Sequence, residues 1–234
     1  DDIEAGGEGA PLTPVFHNTV FGSDGKKKAI VNIGGITNIT ALNYSELIGF
    51  DTGPGNCLMD CWNRIHNVGN YDDRGSWASS GTINQSLLGV MMEDEYFSRK
   101  YPKSTGPDYF SHEWIQKNLL KLSKEIPAED VQATLAQVTV VSLIESINSL
   151  NLSEENIYLC GGGVHNDFLC GEINKQSKKR VSTTFELGID PDYVEAICFG
   201  WLAKQRIENK SFNLSEITGS KGEVYLGRIY EPFK

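Results

Sequence analysis

The spacing of β-like runs constrains this chain more than any other feature. From Lys28 three short runs follow one another, KAIVNI, ITNITAL and ELIGF, separated by Gly34-Gly35 and by Asn43-Tyr44-Ser45. Runs this close together read as an antiparallel meander. Two later runs, at 157–160 and 181–185, alternate with helical patterns instead. That alternation demands parallel strands, because a parallel pair needs a crossover and the crossover helices pack on the sheet faces. Together the runs predict an α/β architecture built on one mixed five-stranded sheet.

The helical stretches follow from apolar periodicity. One helix opens at Asn56, with Leu58, Trp62 and Ile65 on one face. Helical pieces lie around 82–98, within a polar, irregular region. A second helix spans roughly 113–126, on the stripe Ile115, Leu119, Leu122 and Ile126. A third starts at Pro127, with Glu129 and Asp130 suited to its positive end. A fourth carries Phe168, Leu169 and Ile173, and the last long helix starts at Asp190-Pro191 and buries Val194, Ile197, Cys198 and Trp201. The opening stretch, 1–25, is rich in Gly and Pro and ends in the turn signal Gly22-Ser23-Asp24-Gly25.

Charge and composition narrow the partners. Lys and Arg number 21 against 31 Asp and Glu, a net charge of −10 with no basic block. Such a chain gains nothing from a phosphate backbone, so nucleic acid is excluded as a partner. Small anions stay open, since backbone amides hold them locally. The most apolar stretch, 133–150, is interrupted by Gln137, Thr139, Ser142 and Glu145, so it reads as a core helix and no membrane is expected. Five cysteines without a compact framework, and no signal-peptide pattern in the opening residues, point to the cytoplasm. Cys57, Cys61 and His66 have helical spacing, but three candidates with Cys61 on the apolar face assign no metal site.

Three segments have the composition of ligand sites. In GFDTGPGN, Asp51 stands where an apolar run gives way to a Gly-Pro-Gly turn and a helix start. A carboxylate there either accepts a proton from an attacking hydroxyl or water, or merely caps the turn. In NIGGITN the two glycines either wrap a phosphate or form a tight turn. In CGGGVHN three consecutive glycines suit close approach of a flat or charged ligand, or a flexible loop. Glu195, in the first part of the last helix, faces a cleft or complements the helix dipole.

Six stretches together resemble the 1,6-anhydro-N-acetylmuramic acid kinases of peptidoglycan recycling. They are AGGEGAPL (5–12), NIGGITNIT (32–40), GFDTGPGNCLMD (49–60), PKSTG (102–106), CGGGVHN (160–166) and LGIDPDYVEAICFGWLA (187–203), in the family's order. The resemblance implies an actin/sugar-kinase/Hsp70-like, that is ribonuclease H-like, domain. It further implies that residues 1–25 are the remnant of an N-terminal domain and crossing segment, and that 26–234 form the C-terminal ATPase-like kinase domain with a helical insertion at about 67–126.

The implied reaction converts ATP, anhydro-N-acetylmuramic acid and water into N-acetylmuramic acid 6-phosphate and ADP. By the same resemblance Asp51 activates the water and contacts the sugar. Gly34, Gly35 and Thr37 form the phosphate side of the nucleotide site, and Gly161, Gly162 and Gly163 its adenosine side. Asn56 and Glu195 lie near the sugar, Mg²⁺ bridges the phosphates, and the protein forms a homodimer.

Two departures stand out. Pro107-Asp108 replace the family's usual Arg-Glu, and no Gly-Thr-Ser-Leu-Asp-Gly phosphate loop is present. The likeness is therefore to the family's C-terminal two-thirds, and weak turnover is expected of this chain alone. The rival expectation is a non-catalytic nucleotide- or sugar-binding module of the same fold.

Overall fold

The computed structural model describes residues 1–43, 47–66, 68–150 and 156–230. Helix α1 (Thr13–Phe21) precedes the meander of β1 (Lys28–Ile33), β2 (Ile36–Leu42) and β3 (Ile48–Pro54). Five short helices follow: α2 (Cys57–Ile65), α3 (Ser76–Ser80), α4 (Gln85–Met92), α5 (Glu95–Ser98) and α6 (His112–Leu119). They lead to the 22-residue α7 (Ala128–Ser149). Next come β4 (Asn156–Cys160), α8 (Asp167–Ser177), β5 (Val181–Thr183) and α9 (Val194–Ile207), then a small ribbon of β6 (Ser211–Asn213) and β7 (Glu223–Tyr225).

The five main strands form one sheet in the order β3-β2-β1-β4-β5. β2 is antiparallel to β1 and β3, whereas β4 runs parallel to β1 and β5. β1 is buried at every position because both its faces are covered. Its Ala29, Val31 and Ile33 join Ile39, Phe50 and Leu159 beneath α2, α7 and α8. On the other face Ile30, Tyr158 and Cys160 meet Val15 and Phe16 of α1 and Val194, Cys198 and Leu202 of α9. This mixed, doubly covered sheet is the arrangement expected of an actin/sugar-kinase/Hsp70-like domain.

Several boundaries differ from the sequence reading. β3 does not end near Phe50 but continues through Asp51 to Pro54, because β2 offers partners along that whole length. α6 stops at Leu119, although Leu122 and Ile126 still pack on the core from the connection that follows; the apolar spacing outlasts the helix. α9 begins at Val194, since Asp190–Tyr193 forms a turn closed by the Tyr193 N–H on the Asp190 carbonyl (3.0 Å). Its buried stripe is Val194, Cys198 and Leu202, while Ile197 is exposed. α1 and the β6–β7 ribbon had no counterpart in the periodicity. Tyr44, Ser45 and Glu46, which belong to the expected second turn and third run, lie outside the described residues.

Candidate functional site

Asp51 sits inside β3, opposite Asn38 of β2, beside a register shift between Thr37 and Asn38. Such bulges re-aim neighbouring side chains and are common next to active sites. The 103–105 segment holds its carboxylate: Oδ2 accepts from the Ser104 hydroxyl (2.9 Å) and from the Thr105 N–H (3.1 Å). The backbone is fixed as well. The Asp51 N–H donates to the Lys103 carbonyl (3.2 Å), and its carbonyl accepts from the Tyr96 hydroxyl (2.7 Å). Oδ1 has no hydrogen-bond partner among the described residues.

Burial dominates the electrostatics of this group. It pushes the Asp51 carboxyl up to about 6, against the pull of Thr105, Ser104 and Lys103, while the charge on Glu8 adds to the rise. A carboxyl tuned there is ionised at neutral pH yet basic enough to take a proton.

Asp51 lines a cavity of about 350 Å³ together with Gly34, Gly35, Asn38, Thr105 and Glu195. The structure therefore brings Glu195, the second residue of α9, to the same cavity as Asp51. Neither Gly34 nor Gly35 has a positive φ, and a Cβ on either would meet nothing closer than 3.5 Å. The fold does not require glycine there, and both glycines line the cavity with bare backbone. The N–H groups leading into α2 are taken up by the hairpin. The Gly55 and Cys57 N–H groups donate to the Gly35 carbonyl (2.8 and 3.1 Å) and the Asn56 N–H to that of Gly34 (2.8 Å), locking turn and hairpin together. Thr37 is buried beneath this lock with its hydroxyl on the Pro54 carbonyl (3.4 Å), and does not line the cavity.

A larger cleft, of about 690 Å³, opens on the other side of the lock, lined by Asn56, Asp60, Tyr71, Arg74, Gly162 and His165 among others. Asn56 thus lies beside the glycine-rich loop and not in the Asp51 cavity. Only the middle glycine of that loop lines the cleft. Gly161 has φ +81°, and a Cβ on it would fall 2.4 Å from Asn32 Oδ1. A Cβ on Gly163 would fall 2.2 Å from the Ile33 side chain. Packing accounts for two of the three glycines, and the third borders the open cleft. Arg74 of the cleft pairs with one further lining residue, Asp167 (2.8 Å). Burial raises Asp60 to about 6, opposed by Arg64 and aided by Asp72.

Tyr96, Lys103, Ser104 and Thr105 were not singled out as site residues from the sequence. PKSTG stood out only as part of the resemblance, and no spacing links it to a strand about fifty residues earlier. Among the described residues no group of three or more His, Cys, Asp or Glu side chains gathers as a metal cage.

The sequence matches the family model described as anhydro-N-acetylmuramic acid kinase over residues 1–232. A protein of that name from Coxiella burnetii (strain Dugway 5J108-111) is 42% identical over 233 residues, covering 98% of this chain and 62% of that protein. Another of the same name, from Nitrosomonas europaea, is 45% identical over 231 residues, covering 98% and 63%. Among solved structures, the activator of the 2-hydroxyisocaproyl-CoA dehydratase from Clostridium difficile, with bound ADPNP, aligns over 86% of this chain and 69% of that one. Its TM-score is 0.46 at 13% identity, too distant to bear on function. The chain spans about 62% of the length of the first of these relatives. With nearly every residue inside the family model and identities of 42–45%, the chain belongs to the anhydro-N-acetylmuramic acid kinase family.

Proposed function

We propose that this chain forms the water-activating part of a cytoplasmic kinase that opens the 1,6-anhydro bridge of anhydro-N-acetylmuramic acid and phosphorylates O6 at the expense of ATP. The observation that carries the reading is Asp51, a buried carboxylate on the wall of a cavity, with one oxygen held by Ser104 and Thr105 and the other without a partner among the described residues. Asp51 Oδ1 takes a proton from water as the water oxygen bonds to C1 of the sugar. The C1–O6 bond breaks, and O6 takes the phosphoryl group with ADP leaving. Phosphoryl transfer asks of a protein mainly position, charge neutralisation and a base for the nucleophile. Ser104 and Thr105 supply position, and Glu195 offers a second acceptor for sugar hydroxyls.

The cavity and the cleft meet at the Gly34–Asn56 hydrogen bond. That arrangement suits a nucleotide whose phosphates lie along the bare 34–35 hairpin and whose adenosine lies beside Gly162. Mg²⁺ is ordinarily held by one or two carboxylates plus substrate phosphates, and with Asp51 given to the proton Glu195 is the carboxylate of this cavity that would hold it. When bound, it neutralises charge on the phosphoryl oxygens.

A coupled ADP-release assay on the gene product that contains this chain tests the reading. ADP release that depends on the anhydro sugar, and is absent with N-acetylglucosamine, is the expected result. Nucleotide and sugar binding without ADP release overturns it in favour of a non-catalytic binding module.

A further inference from the structure

A second cavity, of about 630 Å³, lies behind Asp51 and plays no part in the reaction above. Phe50 and Thr52, the neighbours of Asp51 on β3, line it. Alternation along a strand sends such neighbours to the opposite face from the residue between them. The cavity is also lined by Arg99, Lys100 and Lys103, a cluster of cations in a chain whose net charge is −10. None of the three forms an ion pair among the described residues. Glu145 is the one acid on the lining, and it makes no ion pair with them.

Lys103 is the informative member. It is only 3% exposed, yet its ammonium group has a single hydrogen bond, to the Tyr96 carbonyl (3.2 Å), and stands 4.6 Å from the centre of the Tyr96 ring. Burial, with help from the charge on Arg99, lowers it to about 8. The charges of Asp51 and Glu145 pull the other way, but among the described residues neither pairs with the ammonium, so its burial stays costly and an anion in the cavity lowers that cost. The remaining walls favour a hydroxylated ring. Phe50 and Tyr101 stack at 5.2 Å, offering an aromatic face. The hydroxyls of Ser142 and Ser146 already donate to helix carbonyls (3.1 and 2.7 Å), which leaves their oxygens as acceptors.

We propose that this second cavity is a binding site for a phosphorylated sugar, with the phosphate on Arg99, Lys100 and Lys103 and the ring against Phe50 and Tyr101. The volume falls within the range of small-molecule sites, roughly 300–1,000 Å³. Lys103 also ties the site to the first cavity. Its carbonyl accepts from the Asp51 N–H, and the next two residues hold the Asp51 carboxylate.

Isothermal titration calorimetry at low salt, with inorganic phosphate and with glucose 6-phosphate as probes, tests the site without relying on kinase activity. Glucose 6-phosphate should bind more tightly than phosphate. Charge-assisted contacts of this kind predict that the double variant Arg99→Gln/Lys100→Gln weakens both probes by about tenfold or more. Both side chains are exposed, so the variant keeps the wild-type melting temperature. Tyr101→Ala should weaken glucose 6-phosphate alone. Ser149→Glu, which places a carboxylate on the opposite wall, should repeat the loss of the double variant. The proposal is overturned by an absence of binding, or by a double variant that binds both probes within about threefold of wild type.

Discussion

At the scale of single residues, the chemistry rests on how burial, two hydrogen-bond donors and the Lys103 charge set the proton affinity of Asp51. With its carboxyl at about 6, kcat/KM should fall on the acid side with a midpoint near that value. Ser104→Ala removes a hydrogen bond that favours the charged form, so it should move this limb to higher pH. A limb that stays in place detaches Asp51 from the profile. The same shift has a consequence for stability. The folded-state value lies above the ordinary value of 3.8, so the unfolded chain loses its proton first as pH rises. Between those two values the unfolded chain is ionised while the folded carboxyl keeps its proton, so stability falls; above them the folded state carries the buried charge and the full cost is on the order of 3 kcal/mol. Asp51→Asn should therefore melt above wild type at about pH 8, with the gap closing toward about pH 4. An equal or lower melting temperature at the higher pH contradicts a charge held against desolvation.

At the scale of elements, the glycine-rich loop between β4 and α8 separates packing from ligand contact. Gly163→Ala drives a methyl into Ile33 and should cost about 1–3 kcal/mol, read by chemical denaturation. Gly162→Ala meets nothing within 4 Å and should leave stability unchanged while weakening nucleotide binding. Equal destabilisation by both contradicts the division. The strand pattern was legible because β1 and β4 are covered on both faces and so read as near-continuous apolar runs. The segments around Asp51 and Gly162 stood out as candidates from glycines and a carboxylate set beside apolar runs, and both residues line cavities, although Asp51 lies inside β3 and not at its end. Ser104, Thr105 and Tyr96 did not, because their contacts come from α5 and the loop after it folding back onto β3, and nothing local encodes that. α9 was placed too early because Asp190-Pro191, a sound helix-start signal, instead builds a turn whose Pro191 carbonyl accepts from the Gly161 N–H (3.0 Å). β6 and β7 are three residues each, too short to show a period.

At the scale of the whole molecule, the opening residues are built into the domain that carries the site. Asp2 is buried and accepts from the Gly9 N–H (2.8 Å) and the Thr218 hydroxyl (2.7 Å), closing the two ends of the chain onto each other. That closure positions residues 9–13 on the wall of the Asp51 cavity and Glu8 where its charge is felt by Asp51. One sheet therefore carries a buried carboxylate on β3, a glycine floor at the β1–β2 tip and a cleft at the end of β4, all contiguous through the Gly34–Asn56 contact. The most direct measurement of the central claim is the steady-state rate of sugar-dependent ADP release by Asp51→Asn in the gene product containing this chain, with nucleotide affinity measured alongside. General-base catalysis predicts a loss in kcat of about 10²–10⁴-fold with nucleotide affinity retained. A variant that turns over at close to the wild-type rate contradicts the assignment of Asp51 as the group that takes the proton from water.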